Sequence, residues 1–138
     1  MSEEKIVKIS FWGTIVPIIL AIIIISWIYN IRKESHAVVR VLDEWNGIQR
    51  MYKDNKEINA ALKKIDVSEC PSDFRDAFFR CVEARENYVT YLESDSLFHP
   101  IKNSELNEYK EEYSKCIDEM NTTAHKYAKF KDDETDQK

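Results

Sequence analysis

Residues 11–29 read FWGTIVPIILAIIIISWIY and carry no charged side chain. A helix of this length spans about 30 Å, which matches the hydrocarbon thickness of a bilayer. A buried core helix is the first alternative, but a chain of 138 residues offers little protein to cover every side of it. A cleaved signal peptide is the second, but the following residues contain no small-residue cleavage pattern. The stretch therefore predicts an uncleaved signal-anchor helix over residues 10–31.

Aromatic and basic residues flank this apolar stretch at both ends. Amphipathic rings favour the headgroup level of a bilayer, and basic side chains reach its polar surface. The pattern predicts five membrane-interface anchors, which are Trp12, Trp27, Tyr29, Arg32 and Lys33. The lipid bilayer is thus the first predicted partner.

The net charge of −5 lies beyond the apolar stretch, because the lysines and glutamates of the amino-terminal tail cancel. Phosphate backbones are bound through basic stripes, so an acidic domain argues against a nucleic-acid partner. A protein partner or a second copy of the chain is the expected binding partner of the soluble part.

Helix-breaking residues are scarce, with two glycines and three prolines in the whole chain. Apolar residues recur at spacings of three and four, which is typical of one face of a helix. The sequence therefore predicts an all-α fold, with an N-terminal single transmembrane helix followed by a small antiparallel three- or four-helix bundle. The predicted segments are a short polar tail at 1–9, the membrane helix at 10–31, a bundle at 32–131 and a disordered tail at 132–138. Within the bundle, helices are expected at 34–65 with a kink near 53–57, at 71–93 and at 104–131.

The last two helices are expected to form an antiparallel hairpin around the loop at 94–103. Residues at one level of such a hairpin have numbers that sum to a constant. The predicted levels are Phe74 with Thr123, Ala77 with Met120, Cys81 with Cys116, Ala84 with Tyr113, Tyr88 with Tyr109, and Tyr91 with Leu106. Two of these levels set alanine against a large side chain, as interdigitated layers require.

This register assigns different roles to the three cysteines of the chain. Cys81 and Cys116 are predicted neighbours, which would form a disulfide in an oxidising compartment or a packed thiol pair in the cytosol. Cys70 precedes a helix start and is expected to be an exposed free thiol, which makes it the single lead for thiol chemistry.

The sequence does not indicate a metal site, a cofactor site or a catalytic centre. The cysteines and histidines lack zinc-ligand spacing, and there is no glycine-rich phosphate loop, so no metal site, cofactor or catalytic residue is predicted. Arg75, Arg80 and Arg85 are expected on the solvated face of their helix, paired with Asp76 and Glu83 rather than with a ligand.

The charges on either side of the membrane helix are nearly balanced. A short tail with two lysines usually stays in the cytosol, so the soluble domain is expected to be exported, in a periplasmic or extracellular location. The predicted function is that of a membrane-anchored, non-catalytic interaction or accessory subunit. Two alternatives are an extracytoplasmic ligand-sensing helical module that acts through a partner, and a thiol-based redox protein that uses Cys70.

Overall fold

The architecture comes from a computed structural model, which describes the backbone of residues 3–132 and the side chains of residues 11–127. Over that range the chain forms helices and no strand, so the predicted all-helical class is confirmed. The predicted tail at 132–138 lies outside the described residues except for Asp132, which is helical. The four helices are α1 (Glu3–Met51), α2 (Asn55–Lys63), α3 (Ser72–Glu93) and α4 (Asn103–Asp132).

Two compact units divide the chain, Met1–Lys33 and Glu34–Lys138. In the first unit, most of the large apolar residues of α1 whose side chains are described are exposed, with exposed fractions from 43% at Ile28 to 68% at Trp12. Within the described residues, this is the one helix that is long and apolar enough to cross a membrane.

The break between α1 and α2 falls at residues 52–54, beside the position where the sequence predicts a kink or a short second helix. Asp54 caps α2, since its Oδ1 accepts a hydrogen bond from the Lys56 backbone N–H at 3.2 Å. Aspartate is favoured there because its side chain satisfies an amide that has no partner within the helix. A short α2 therefore starts where a polar run interrupts the apolar pattern.

The core of the second unit is built from the apolar faces of all four helices. Trp45 of α1 packs edge-on against Phe78 of α3, with ring centroids 5.6 Å apart. Burying one large apolar side chain contributes about 1.5–3 kcal/mol. The largest fully buried side chains are Phe74, Phe78, Leu62, Met120, Val38, Val41 and Cys81.

Helices α3 and α4 lie antiparallel. Near the start of α3, Asp73 accepts a hydrogen bond from the Tyr127 hydroxyl at 2.8 Å. Near its end, Tyr91 donates a hydrogen bond to Glu105 at 2.8 Å. In the middle, Arg80 forms an ion pair with Glu119 at 3.2 Å.

The tyrosine rings pair about one helical turn away from the predicted levels. The ring of Tyr88 stacks on Tyr113, whereas its predicted level is that of Tyr109, and the ring of Tyr91 contacts Tyr109. Side chains on a helix lean toward its amino terminus, so long rings on antiparallel helices lean toward each other across one turn. The backbone level therefore sets the partners of short side chains. The partners of the long tyrosine rings also depend on the direction in which the side chains point.

Candidate binding site

Cys81 and Cys116 are brought together between α3 and α4. Both are free thiols, and each lies close enough to affect the pKa of the other. Burial, and then the neighbouring Cys116, raises the pKa of Cys81 to about 12. The short side chains keep the predicted level, but the disulfide between them stays a prediction.

Cys70 lies in the core, so the expectation that it is exposed is wrong. Its side chain is 5% exposed and belongs to the same buried cluster as Val67 and Phe74. The Cys70 N–H donates to the Val67 carbonyl at 3.0 Å, and this turn carries both residues inward. Burial raises the pKa of Cys70 to about 11. A buried, protonated thiol is a poor nucleophile, which weakens the redox interpretation.

The five predicted membrane-interface residues lie at the surface of the first unit. The rings of Trp12, Trp27 and Tyr29 are about two-thirds exposed, and Arg32 and Lys33 are exposed as well. These rings are therefore available to a bilayer, and their role as anchors stays a prediction.

Arg85 is buried rather than solvated, which corrects the sequence-based expectation. Only 9% of the residue is exposed. Its Nη2 donates to Asn55 Oδ1 at 3.1 Å and its Nη1 donates to Asn59 Oδ1, so the guanidinium reaches across to α2. Its positive charge also lies close enough to the phenol of Tyr113 to affect the pKa of that group. Among the described side chains, no carboxylate forms an ion pair with Arg85.

The burial of Arg85 has a signal in the sequence. Phe78, Val82 and Val89 occupy an apolar stripe at spacings of four and seven, and position 85 fills the missing place in it. A charge inside an apolar stripe indicates a buried polar contact, because a charged group is costly to bury without partners. The partners themselves could not be predicted, since they lie on a different helix.

A cavity of about 290 Å³ opens beside Arg85. Two of its walls are the rings of Tyr88 and Tyr113, which are nearly parallel at 9° with centroids 6.4 Å apart. Burial raises the pKa of Tyr113, and the nearby positive charge of Arg85 opposes that shift. The remaining lining residues are Gln49, Asn55, Ile58 and Val89.

A larger groove of about 440 Å³ lies between α1 and α4. Its apolar lining includes Leu42, Trp45 and Ile117, and its polar lining includes Asn46 and Asn121. Gln49 and Tyr113 line both spaces, so the groove and the cavity adjoin. The combination of apolar walls and a few polar groups is typical of a binding surface.

Comparisons with protein-family models, curated proteins and solved structures find no match for this chain.

Proposed function

We propose that the chain is a single-pass membrane protein whose amino-terminal helix anchors a small antiparallel helical bundle. The exposed apolar face of α1 carries this proposal. Ile18, Ile22 and Ile25 are each more than half exposed, although residues 34–127 bury a core of their own. Apolar surface left in water is unfavourable by about 25 cal/mol per Å², and a bilayer would remove that penalty.

The bundle is proposed to serve as a non-catalytic interaction or accessory subunit. Its groove between α1 and α4 has the apolar floor and polar rim that a helix from a partner protein, or from a second copy, would require. The acidic net charge of −5 favours a partner without strong negative charge at this surface.

The bundle is further proposed to lie on the exported side of the membrane. The short tail with two lysines supports retention of the amino terminus in the cytosol. The contact between Cys81 and Cys116 is compatible with an oxidising compartment, where such a pair can form a disulfide.

Alkaline carbonate extraction of membranes tests the anchor. The wild-type chain is expected to stay in the membrane pellet, and the double variant Ile22→Arg/Ile25→Arg is expected to move to the supernatant. Each arginine at the centre of a span disfavours insertion by about 2.5–3.5 kcal/mol. Met51→Arg is the matched control, because Met51 is 75% exposed and lies outside the proposed span. Release of the wild-type chain into the supernatant would overturn the anchor.

Photo-crosslinking in membranes tests the groove. A photoreactive residue at Asn46 or Asn121 is expected to give discrete adducts, because both positions line the groove and are exposed. The same residue at Glu83, an exposed position on α3 that does not line the groove, is the control. Equal adducts from Glu83, or none from the groove positions, would contradict a partner at this surface.

A ligand-sensing helical module is the second candidate function. The cavity beside the buried Arg85 favours it, because a closed interaction domain has no need for an open space next to a buried cation. Thiol redox chemistry at Cys70 is disfavoured, because that thiol is buried with a raised pKa.

A further inference from the structure

We propose that the cavity beside Arg85 binds a small carboxylate that has a flat, apolar body. The inference deepens the ligand-sensing candidate and does not depend on a partner at the groove.

The positive charge of Arg85 is buried. A buried cation is destabilising unless charged or polar groups compensate for the water it has lost. Its hydrogen-bond partners Asn55 and Asn59 of α2 are neutral, and so is the neighbouring Tyr113 of α4. The site therefore keeps a net positive charge in surroundings where an anion is strongly attracted.

Two carboxylates of α3 form ion pairs with lysines of α2 rather than with Arg85. Glu86 forms an ion pair with Lys63 at 2.6 Å, and Glu93 pairs with Lys56 at 3.7 Å. Both contacts tie α3 to α2 beside the site without neutralising Arg85. A guanidinium also has more N–H donors than its two asparagine partners use, and its fork matches the two oxygens of a carboxylate.

One side of the cavity is lined by aromatic and aliphatic side chains. The rings of Tyr88 and Tyr113, nearly parallel to each other, line the cavity, and Ile58 and Val89 complete its apolar side. A flat apolar body would contact aromatic and aliphatic carbon on this side, and contacts between aromatic groups are favourable. The positive group and the flat walls meet in one space of about 290 Å³, which fits a small aromatic acid rather than a bare inorganic ion.

The competing explanation is that Arg85 only ties α3 to α2 through the two asparagines. Truncating Arg85 would not separate the two roles, because it would remove both. Gln49→Glu separates them. Gln49 is exposed and lines the cavity together with Arg85 and Tyr113, so a glutamate there would supply a competing carboxylate without removing the hydrogen bonds of Arg85 to the two asparagines.

The probe is sodium benzoate, titrated at constant ionic strength into the full-length chain in a nonionic detergent. Binding is followed by the NMR shift of the Arg85 Nε–H and by the melting temperature. We expect a saturable shift for benzoate, and binding of the neutral isostere benzamide that is about tenfold weaker or more, since a charge-assisted contact is lost.

Two variants complete the test. Gln49→Glu is expected to abolish the benzoate shift while the chain remains folded. Asn46→Asp adds the same charge to the same helix, but it lines the groove and not the cavity, so it is expected to bind benzoate as the wild type does.

Three results would overturn the proposal: no saturable Arg85 shift with benzoate, equal affinity for benzamide, or unchanged benzoate binding by Gln49→Glu. None of these results would affect crosslinking from the groove. The carboxylate site and the proposed interaction function therefore fail independently.

Discussion

Trp45 meets Phe78 edge to face, with ring centroids 5.6 Å apart and an interplanar angle of 77°. This contact joins α1 to α3 at the centre of the core. Phe78 is 1% exposed, whereas the adjacent Phe79 is 56% exposed, so two neighbouring phenylalanines have opposite environments.

Phe78→Ala is predicted to lower the free energy of unfolding by about 3–5 kcal/mol, because it leaves a cavity under Trp45. Phe79→Ala is the matched control and is predicted to change it by less than about 1 kcal/mol, since Phe79 lies at the surface. Urea unfolding of the full-length chain in detergent, followed by circular dichroism, measures both values. Similar losses for the two variants would contradict the observed packing.

Mild oxidation is predicted to join Cys81 to Cys116 within one chain. The thiols already lie close together, and closing the loop between them would stabilise the fold by about 3–4 kcal/mol in the chain-entropy model. Thiol counting under denaturing conditions should find one free thiol of the three, and the melting temperature should rise. Cys81→Ser should abolish the gain and Cys70→Ser should preserve it. Three free thiols after oxidation would refute the pairing.

Stability is predicted to fall in alkaline solution through the buried thiols. Burial raises the pKa of Cys70 from 9.0 to about 11, so the unfolded chain loses this proton first as the pH rises. The stabilising effect is complete below pH 9.0 and is lost between pH 9.0 and about 11. The slope for one such group is about 1.4 kcal/mol per pH unit.

Unfolding measured across this pH range checks the effect. Cys70→Ala should have a shallower alkaline decline than the wild type, although its stability at neutral pH is lower. Cys81, whose pKa is raised to about 12, should maintain part of the decline in that variant. Identical slopes for wild type and Cys70→Ala would show that this thiol is ionised equally in both states.

Tyr127→Phe is predicted to lower the free energy of unfolding by about 1 kcal/mol. The variant removes the hydrogen bond that the Tyr127 hydroxyl donates to Asp73 Oδ1 at 2.8 Å, which links the ends of α4 and α3. Asp73 keeps its contact with Lys126 at 3.7 Å, so the loss stays modest. Tyr52→Phe, at a surface position, is the control and should be neutral. No difference between the variants in thermal unfolding would mean that solvent replaces this bond.

The tyrosine pairs show the limit of predicting contacts from the constant sum of residue numbers across the hairpin of α3 and α4. The spacing of apolar residues predicts that α3 and α4 meet along one seam, and the structure places Cys81 against Cys116 on that seam. The rule fails for Tyr88, which stacks on Tyr113. It counts backbone levels, whereas contacts between long rings also depend on the direction in which side chains lean.

The sequence alone determined the helical class, the long apolar amino-terminal helix and the apolar faces of the soluble part. These features are local, because charge-free length and a period of three to four residues can be read without knowledge of any neighbour. Only the tertiary structure decided the environments of Cys70 and Arg85. A turn carries Cys70 into the core, and α2 covers Arg85, so the burial of each depends on segments distant in sequence. The cavity beside Arg85 has the same origin, since its walls come from four helices that meet only in the folded chain.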